Sequence, residues 1–396
     1  MTIPPSAALP ARLQRILDAE YPRYSAPEMA RRRAAVEAAL AEASCDHLVF
    51  CGANRAGSVV QWLTQWPVTA EAVGVLTPGL PDALFLQYVN HPPLARKLAD
   101  RAEVAWGGES SIRAAIAVLE KRGARADRVG VIGPMNFEQH AALAARFGKI
   151  ASLNRAYVRL RRVKSEEEID WLRIGAWLSD RGMAGLRDGL RPGLDERELG
   201  DLIERAYVRD GGTNVIHYIG ATSMHDPQLG VPAQFPSRRR VQAGDIVFAE
   251  ISAAFWDHPG QVLRSFAVGG EPPPLYRELH AAADAAFDAV AGVLKHGATP
   301  AQVIEASGVI EDAGFTIIDD LLHGYGGGYF PPILGSRSRP AGPIPEEPFE
   351  AGMTVVIQPN VVTRDGKAGV QTGELVRITA TGIESLHSFP RGFARV

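Results

Sequence analysis

Apolar and polar positions alternate in two distinct styles along the chain. Residues 27–44 (PEMARRRAAVEAALAEAS) carry Ala30, Ala34, Val36 and Leu40 near one face with arginines between, which predicts an amphipathic helix. HLVF (47–50), VVQWLTQW (59–66), AVGVLTPG (72–79), ALFLQYV (83–89) and VGVIG (129–133) predict strands, and 111–123 and 137–148 predict helices. Strands and helices that alternate in this way give an α/β layer structure over roughly residues 25–150. The style changes at RRVKSEEEID (161–170), where Ser165 and Glu168 form a capping-box pattern ahead of Ile169, Leu172, Trp177 and Leu178. Beyond it, helices at 195–210, 274–296 and 300–313 come in runs beside strand-like segments at 214–219, 244–254, 261–269, 352–362 and 369–382. That grouping is the α+β pattern.

Composition narrows the classes. The 396 residues exceed one domain at ~150 residues each and bury a core without staples. With 42 basic and 45 acidic side chains the formal charge is −3, so the basic footprint of a nucleic-acid binder is missing. Two cysteines, Cys45 and Cys51, build neither a disulfide framework nor a thiolate zinc site. No apolar run approaches the ~18 residues that span a bilayer, and the N-terminus does not read as a signal peptide. The expectation is a cytoplasmic protein with a small-molecule substrate and neither nucleic-acid nor membrane partners.

Several polar positions interrupt apolar segments. Glu250 sits in the strand FAEISAAFW, where a lone carboxylate is costly to bury unless it is paired, used or turned to solvent. Arg264, on the returning strand, is a candidate ion-pair partner. His323 and Tyr325 lie in LLHGYGGGYFPP, a glycine-rich stretch that permits close approach of a ligand. No Walker lysine follows these glycines and no strand–GxGxxG–helix order is present, so phosphate and dinucleotide binding are disfavoured. Gln358-Pro359-Asn360 and Gln371-Thr372-Gly373-Glu374 interrupt the last strands, and His217 and His225 fall in a loop-rich stretch. SRRR (237–240) reads as a solvated turn.

The order of these pieces is more specific than any one of them. VKSEEEID, then AGDIVFAEISAAFW and LRSF, then HGYGGG, then FEAGMTVVIQPN, then GVQTGELVRITATGIESL resembles the pita-bread superfamily of aminopeptidase P, prolidase, creatinase and ectoine hydrolase. The resemblance implies an α+β architecture. Residues 156–396 would form a pseudo-symmetric antiparallel sheet with helices on one face, and residues 1–155 a smaller creatinase-type α/β domain. In the family's metallopeptidases two aspartates, one histidine and two glutamates hold two metal ions. By position these ligands fall on Glu250, Gln261, His323, Gln358 and Gly373 here, with Arg264 at the family arginine. Only one acid and one imidazole survive, so the resemblance implies no metal cage and no cofactor.

The expectation is therefore a metal-independent, creatinase-like hydrolase of a non-peptide C–N bond in a small amidine, guanidino or cyclic substrate. Glu250 would anchor the substrate or attack it, and either His323 or His225 would move protons. Gln261, Arg264, Gln358, Glu374, Tyr325 and His217 would orient the substrate, and Arg55 of a partner copy in a homodimer would reach the site. Two alternatives stand beside it. One is an Xaa-Pro aminopeptidase or dipeptidase with a divalent metal pair. The other is a non-catalytic pita-bread binding protein.

Overall fold

A computed structural model describes residues 8–53 and 59–396. The candidate Arg55 lies outside the described residues. Two compact units divide between Arg161 and Arg162, and residues up to Asp18 belong with the larger, C-terminal one. The sequence reading had kept residues 1–155 together.

After α1 (Ala11–Leu17), the smaller unit contains α2 (Ala26–Glu42), β1 (His47–Ala53), α3 (Val59–Thr64), β2 (Glu71–Leu76), β3 (Asp82–Leu86) and α4 (Pro92–Leu98). It continues with β4 (Ala102–Trp106), α5 (Ser111–Lys121), β5 (Val129–Ile132), α6 (Phe137–Phe147), β6 (Ile150–Ser152) and α7 (Asn154–Arg162). Its sheet runs β4-β3-β2-β1-β5-β6, with parallel and antiparallel neighbours mixed. Alternation along β1 sends Leu48 and Phe50 into one apolar cluster with α2 and α3, and Val49 and Cys51 into another with α5. Residues 59–64 are helical where a strand was expected. Val59, Val60, Trp62 and Leu63 are all buried, so the run is apolar on every side and its period distinguishes neither form. On α2 the buried face holds Met29, Val36, Ala39, Leu40 and Arg32, whereas Ala30 and Ala34 are exposed. Arg32 is tolerated there because its guanidinium lies 3.8 Å from the centre of the Tyr24 ring and bonds Glu28 at 2.6 Å. Cys45 and Cys51 are buried and unpaired.

The larger unit opens with α8 (Glu166–Gly189), whose capping box forms as expected from Ser165 and Glu168. It continues through α9 (Glu196–Tyr207), β7 (Thr213–Ser223), β8 (Asp245–Phe255), β9 (His258–Ala267), α10 (Pro274–Val293), α11 (Pro300–Ala306) and α12 (Val309–Asp312). Then come β10 (Thr316–Ile317), β11 (Leu322–Tyr325), β12 (Tyr329–Leu334), β13 (Thr354–Ile357), β14 (Val361–Val362), β15 (Gly373–Ile378), β16 (Ile383–Ser385) and β17 (Ala394–Arg395). The main sheet runs β12-β11-β13-β15-β9-β8-β7, with β16 on β15 and β17 on β9; every pair except β9–β17 is antiparallel.

Helix α8 lies tight on the β8–β9 hairpin. A Cβ at Gly175 would meet the His258 carbonyl oxygen at 2.1 Å, and one at Gly260 would meet the Ala176 Cα at 2.2 Å. Ser179 closes the contact by accepting from the Ala253 N–H at 2.9 Å and donating to the Gly260 carbonyl. Helix α10 packs Tyr276, Leu279, Ala283, Phe287 and Val290 against Ile246, Phe248, Ile357 and Val376. The glycine-rich stretch is a hairpin: Gly326, Gly327 and Gly328 turn at φ +122°, +78° and +152°, leaving His323 and Tyr325 on a strand. Among the described residues no helix is long and apolar enough to cross a membrane.

Candidate functional site

Strand register brings the candidate residues together. In the β8–β9 hairpin Glu250 pairs with Leu263 and Ser252 with Gln261, so Glu250 and Gln261 share a face. Gln261 is the link between strands: its Nε2 donates to Glu250 Oε1 at 2.9 Å and to Gln358 Oε1 at 3.1 Å. Gln358, just past β13, donates through Nε2 to Asp320 Oδ1 at 3.0 Å, and the Tyr329 hydroxyl donates to Asp320 Oδ2 at 3.0 Å. Gln371 donates to the other Glu250 oxygen at 3.4 Å. His323 stacks on Tyr329 with ring centres 4.2 Å apart, and Tyr325 meets it edge-on at 5.4 Å.

Burial governs the protonation of this group. It pushes the Glu250 carboxyl up to about 8, helped by the charges of Asp319 and Asp320 and opposed by the Gln371 bond. Asp320 is likewise raised, first by burial and then by Asp319, whose carboxylate also accepts the Asp320 N–H at 2.8 Å. Burial drives His323 down to about 4, against its bonds to Gly324 and Gln358 and the charge of Asp319. At neutral pH this buried cluster therefore holds a neutral imidazole and a neutral Glu250 beside the amides of Gln261, Gln358 and Gln371. Gln261 Oε1, Gln371 Oε1 and Asn360 Oδ1 accept no hydrogen bond from any of the described residues although they are buried. Buried acceptors of this kind call for donors from water or a ligand.

Other candidates sit elsewhere. Arg264 pairs with Ala249, one residue out of phase with Glu250, so alternation turns it to the opposite face. There it bonds Glu374 at 2.7 Å and the carbonyls of Gly373, Phe389, Leu263 and Pro390 at 2.7–2.9 Å. Glu374, next to Gly373, has followed it to that face and also accepts from Ser385. The carboxylate that Arg264 holds is thus the protein's own. His217 Nε2 accepts from the Tyr207 hydroxyl at 2.7 Å, and burial lowers its pKa. His225 is exposed on the loop after β7, its ring beside Gly244, and no hydrogen bond among the described residues links it to the cluster. The basic run 237–240 is tied down: Arg239 bonds both Asp245 oxygens, at 2.6 and 2.9 Å. Asp319, Asp320, Tyr329 and Gln371 were not among the sequence candidates. The two aspartates carried no signal, since a loop acid pair reads as solvated. Gln371 and Tyr329 did lie inside segments singled out as unusual.

The resemblance to metallopeptidases raises a pair of divalent ions. Hard cations require several anionic oxygens. Here amide N–H groups are aimed at both oxygens of Glu250 and at Asp320, and Gly373 offers no side chain. Among the described residues no group of three or more His, Cys, Asp or Glu side chains is arranged to hold a metal. The residues present do not fit the pair.

Known proteins resemble this chain over much of its length. It is 29% identical over 248 residues to the "Probable dipeptidase PepE" of Mycobacterium tuberculosis, spanning 59% of this chain and 60% of that protein. The chain thus covers less than two thirds of that curated relative. Its fold matches the X-Pro aminopeptidase of Thermotoga maritima MSB8 with a TM-score of 0.79 at 17% identity, over 92% of this chain and 99% of the other. It also matches dipeptidase PepE of Mycobacterium ulcerans with a TM-score of 0.77 at 23% identity, over 94% and 99%. The architecture is the two-domain α+β pita-bread fold. These comparisons overturn the expectation of a creatinase-like hydrolase of a non-peptide bond, because the relatives named are peptidases and none is a creatinase or an ectoine hydrolase. The metallopeptidase family M24 model spans residues 170–380, more than half of the chain and the whole β7–β15 cradle around Glu250, and to that family the chain belongs.

Proposed function

We propose that the chain is a hydrolase of small peptides, of the dipeptidase and Xaa-Pro peptidase kind. The observation that carries this reading is the 248-residue similarity to a probable dipeptidase. The buried acceptors Gln261 Oε1, Gln371 Oε1 and Asn360 Oδ1 support it, since a peptide supplies the N–H donors they lack. His323 and Glu250 are the groups placed to contact such a substrate. A cytoplasmic location and a homodimer complete the proposal on family resemblance, and the buried free thiols accord with a reducing compartment.

The test is a panel of dipeptides, including Xaa-Pro and Pro-Xaa, incubated with tag-free protein with and without Mn²⁺, Co²⁺ or Zn²⁺. Release of free amino acids from at least one dipeptide, lost in His323→Ala, is expected. A panel left intact under every condition refutes the reading. One observation favours a second reading: an amide-rich donor set suits a pocket that holds a small peptide without cutting it. A rise in melting temperature with an intact dipeptide distinguishes that case.

A further inference from the structure

We infer that the site has exchanged metal ligation for a continuous hydrogen-bond chain, Tyr329–Asp320–Gln358–Gln261–Glu250, and takes no divalent metal pair. This goes beyond the peptide reading and does not depend on it.

Three observations carry the inference. First, the two amides at metal-ligand positions act as donors toward the acids. Gln261 Nε2 bridges Glu250 and Gln358 at 2.9 and 3.1 Å, and Gln358 Nε2 reaches Asp320 at 3.0 Å. A cation between them would face N–H hydrogens, and turning the amides over to meet it would take the Gln261 donor from Glu250 and the Gln358 donor from Asp320 while both acids are buried. Second, the acids outside the family positions are already engaged: Asp320 spends one oxygen on Gln358 and the other on Tyr329, and Asp319 caps the Asp320 N–H. Third, the position of the last family glutamate is closed to any side chain. A Cβ at Gly373 would lie 2.5 Å from the Ile357 carbonyl oxygen and 3.0 Å from the Gln358 Cα, both backbone atoms. These atoms belong to the end of β13 and the residue after it, and β13 pairs with β15 at Ile357 and Glu374. What remains is one carboxyl and one imidazole, too few anionic oxygens for a dinuclear hard-metal site.

The experiment is metal analysis of tag-free full-length protein by inductively coupled plasma mass spectrometry after dialysis against Mn²⁺, Co²⁺ or Zn²⁺. Melting curves with and without each ion accompany it. The wild type is expected to retain substoichiometric metal and to melt at the same temperature with each ion. The double variant Gln261→Asp with Gln358→Glu restores two anionic oxygens beside Glu250. It is expected to retain metal and to melt higher when Mn²⁺ is added. Wild-type protein that holds a stoichiometric pair, lost in Glu250→Ala, overturns the inference. The wild-type measurement decides alone if the double variant does not fold. Dipeptide cleavage in the same samples reports separately. Absent metal with no cleavage removes only the peptidase reading, and a bound pair with cleavage removes only this one.

Discussion

At pH 7 the Glu250→Gln variant is expected to be more stable than the wild type, by an amount that depends on pH in a prescribed way. Burial, with Asp319 and Asp320 adding to it, raises the Glu250 carboxyl from 4.5 to about 8 in the folded chain. Unfolding therefore releases a proton anywhere between those values. Because the folded state binds more protons than the unfolded state in that window, stability falls as pH rises through it and levels off above the folded value. At about 1.4 kcal/mol per pH unit, the wild type loses about 3 kcal/mol between pH 4.5 and pH 7, and about 4 kcal/mol by pH 8. Glutamine keeps the shape and an oxygen for Gln261 but does not titrate. Its own amide N–H has to find the free Gln371 Oε1, and imperfect geometry there costs about 1–2 kcal/mol at every pH. The expected net gain at pH 7 is thus about 1–2 kcal/mol. Guanidinium unfolding followed by tryptophan fluorescence at pH 5, 6, 7 and 8 measures it. The difference between variant and wild type should climb between pH 5 and pH 7, by about 1.4 kcal/mol per pH unit at its steepest, and flatten toward pH 8, and that shape is independent of the constant offset. Parallel pH curves for the two proteins would refute the claim that Glu250 is held neutral.

Two further substitutions separate scaffold from site. Arg264→Ala leaves Glu374 buried without its cation and takes one donor from each of four carbonyls, so a loss of about 3–5 kcal/mol is expected in denaturant unfolding. Unchanged stability would return Arg264 to the list of ligand-binding residues. Asp180→Ala removes the acceptor for His387 Nδ1, the Ser388 N–H and hydroxyl, and the Phe389 N–H. Amide hydrogen exchange should speed up across residues 385–390 while β11 and β13 stay protected, and unchanged protection at 385–390 would refute the claim that Asp180 holds this segment.

The sequence order alone brought Glu250, Gln261, His323 and Gln358 to one cluster, because each sits on, or one residue past, a strand of the same antiparallel sheet. It did not separate Arg264 and Glu374 from them. That separation depends on the hairpin register, and the register depends on the two-residue turn Trp256-Asp257. Trp256 adopts φ +56° there, a value that turn chemistry assigns to glycine or asparagine and that a tryptophan does not announce. Once the turn is fixed, parity does the rest: Glu250 and Gln261 fall on one face, Ala249 and Arg264 on the other. The helix at 59–64 was hidden for a different reason, since burial on all sides erases the period that distinguishes helix from strand. Asp320 was hidden because a loop acid looks solvated until tertiary packing buries it, whereas Asp319 stays exposed and acts on Glu250 only through its charge. They bear most on the chemistry. The sheet supplies the pocket's shape and would place any side chain at positions 250, 261, 323 and 358 close together. The charge of the pocket is set by which side chains stand there and by what buries them. In this chain, amides replace acids at two positions and a backbone contact closes a third. Burial, with the two extra aspartates adding to it, raises the proton affinity of the one acid left. Shape and charge thus vary independently within one fold, and the family assignment speaks to the first while Gln261, Gln358 and Gly373 decide the second.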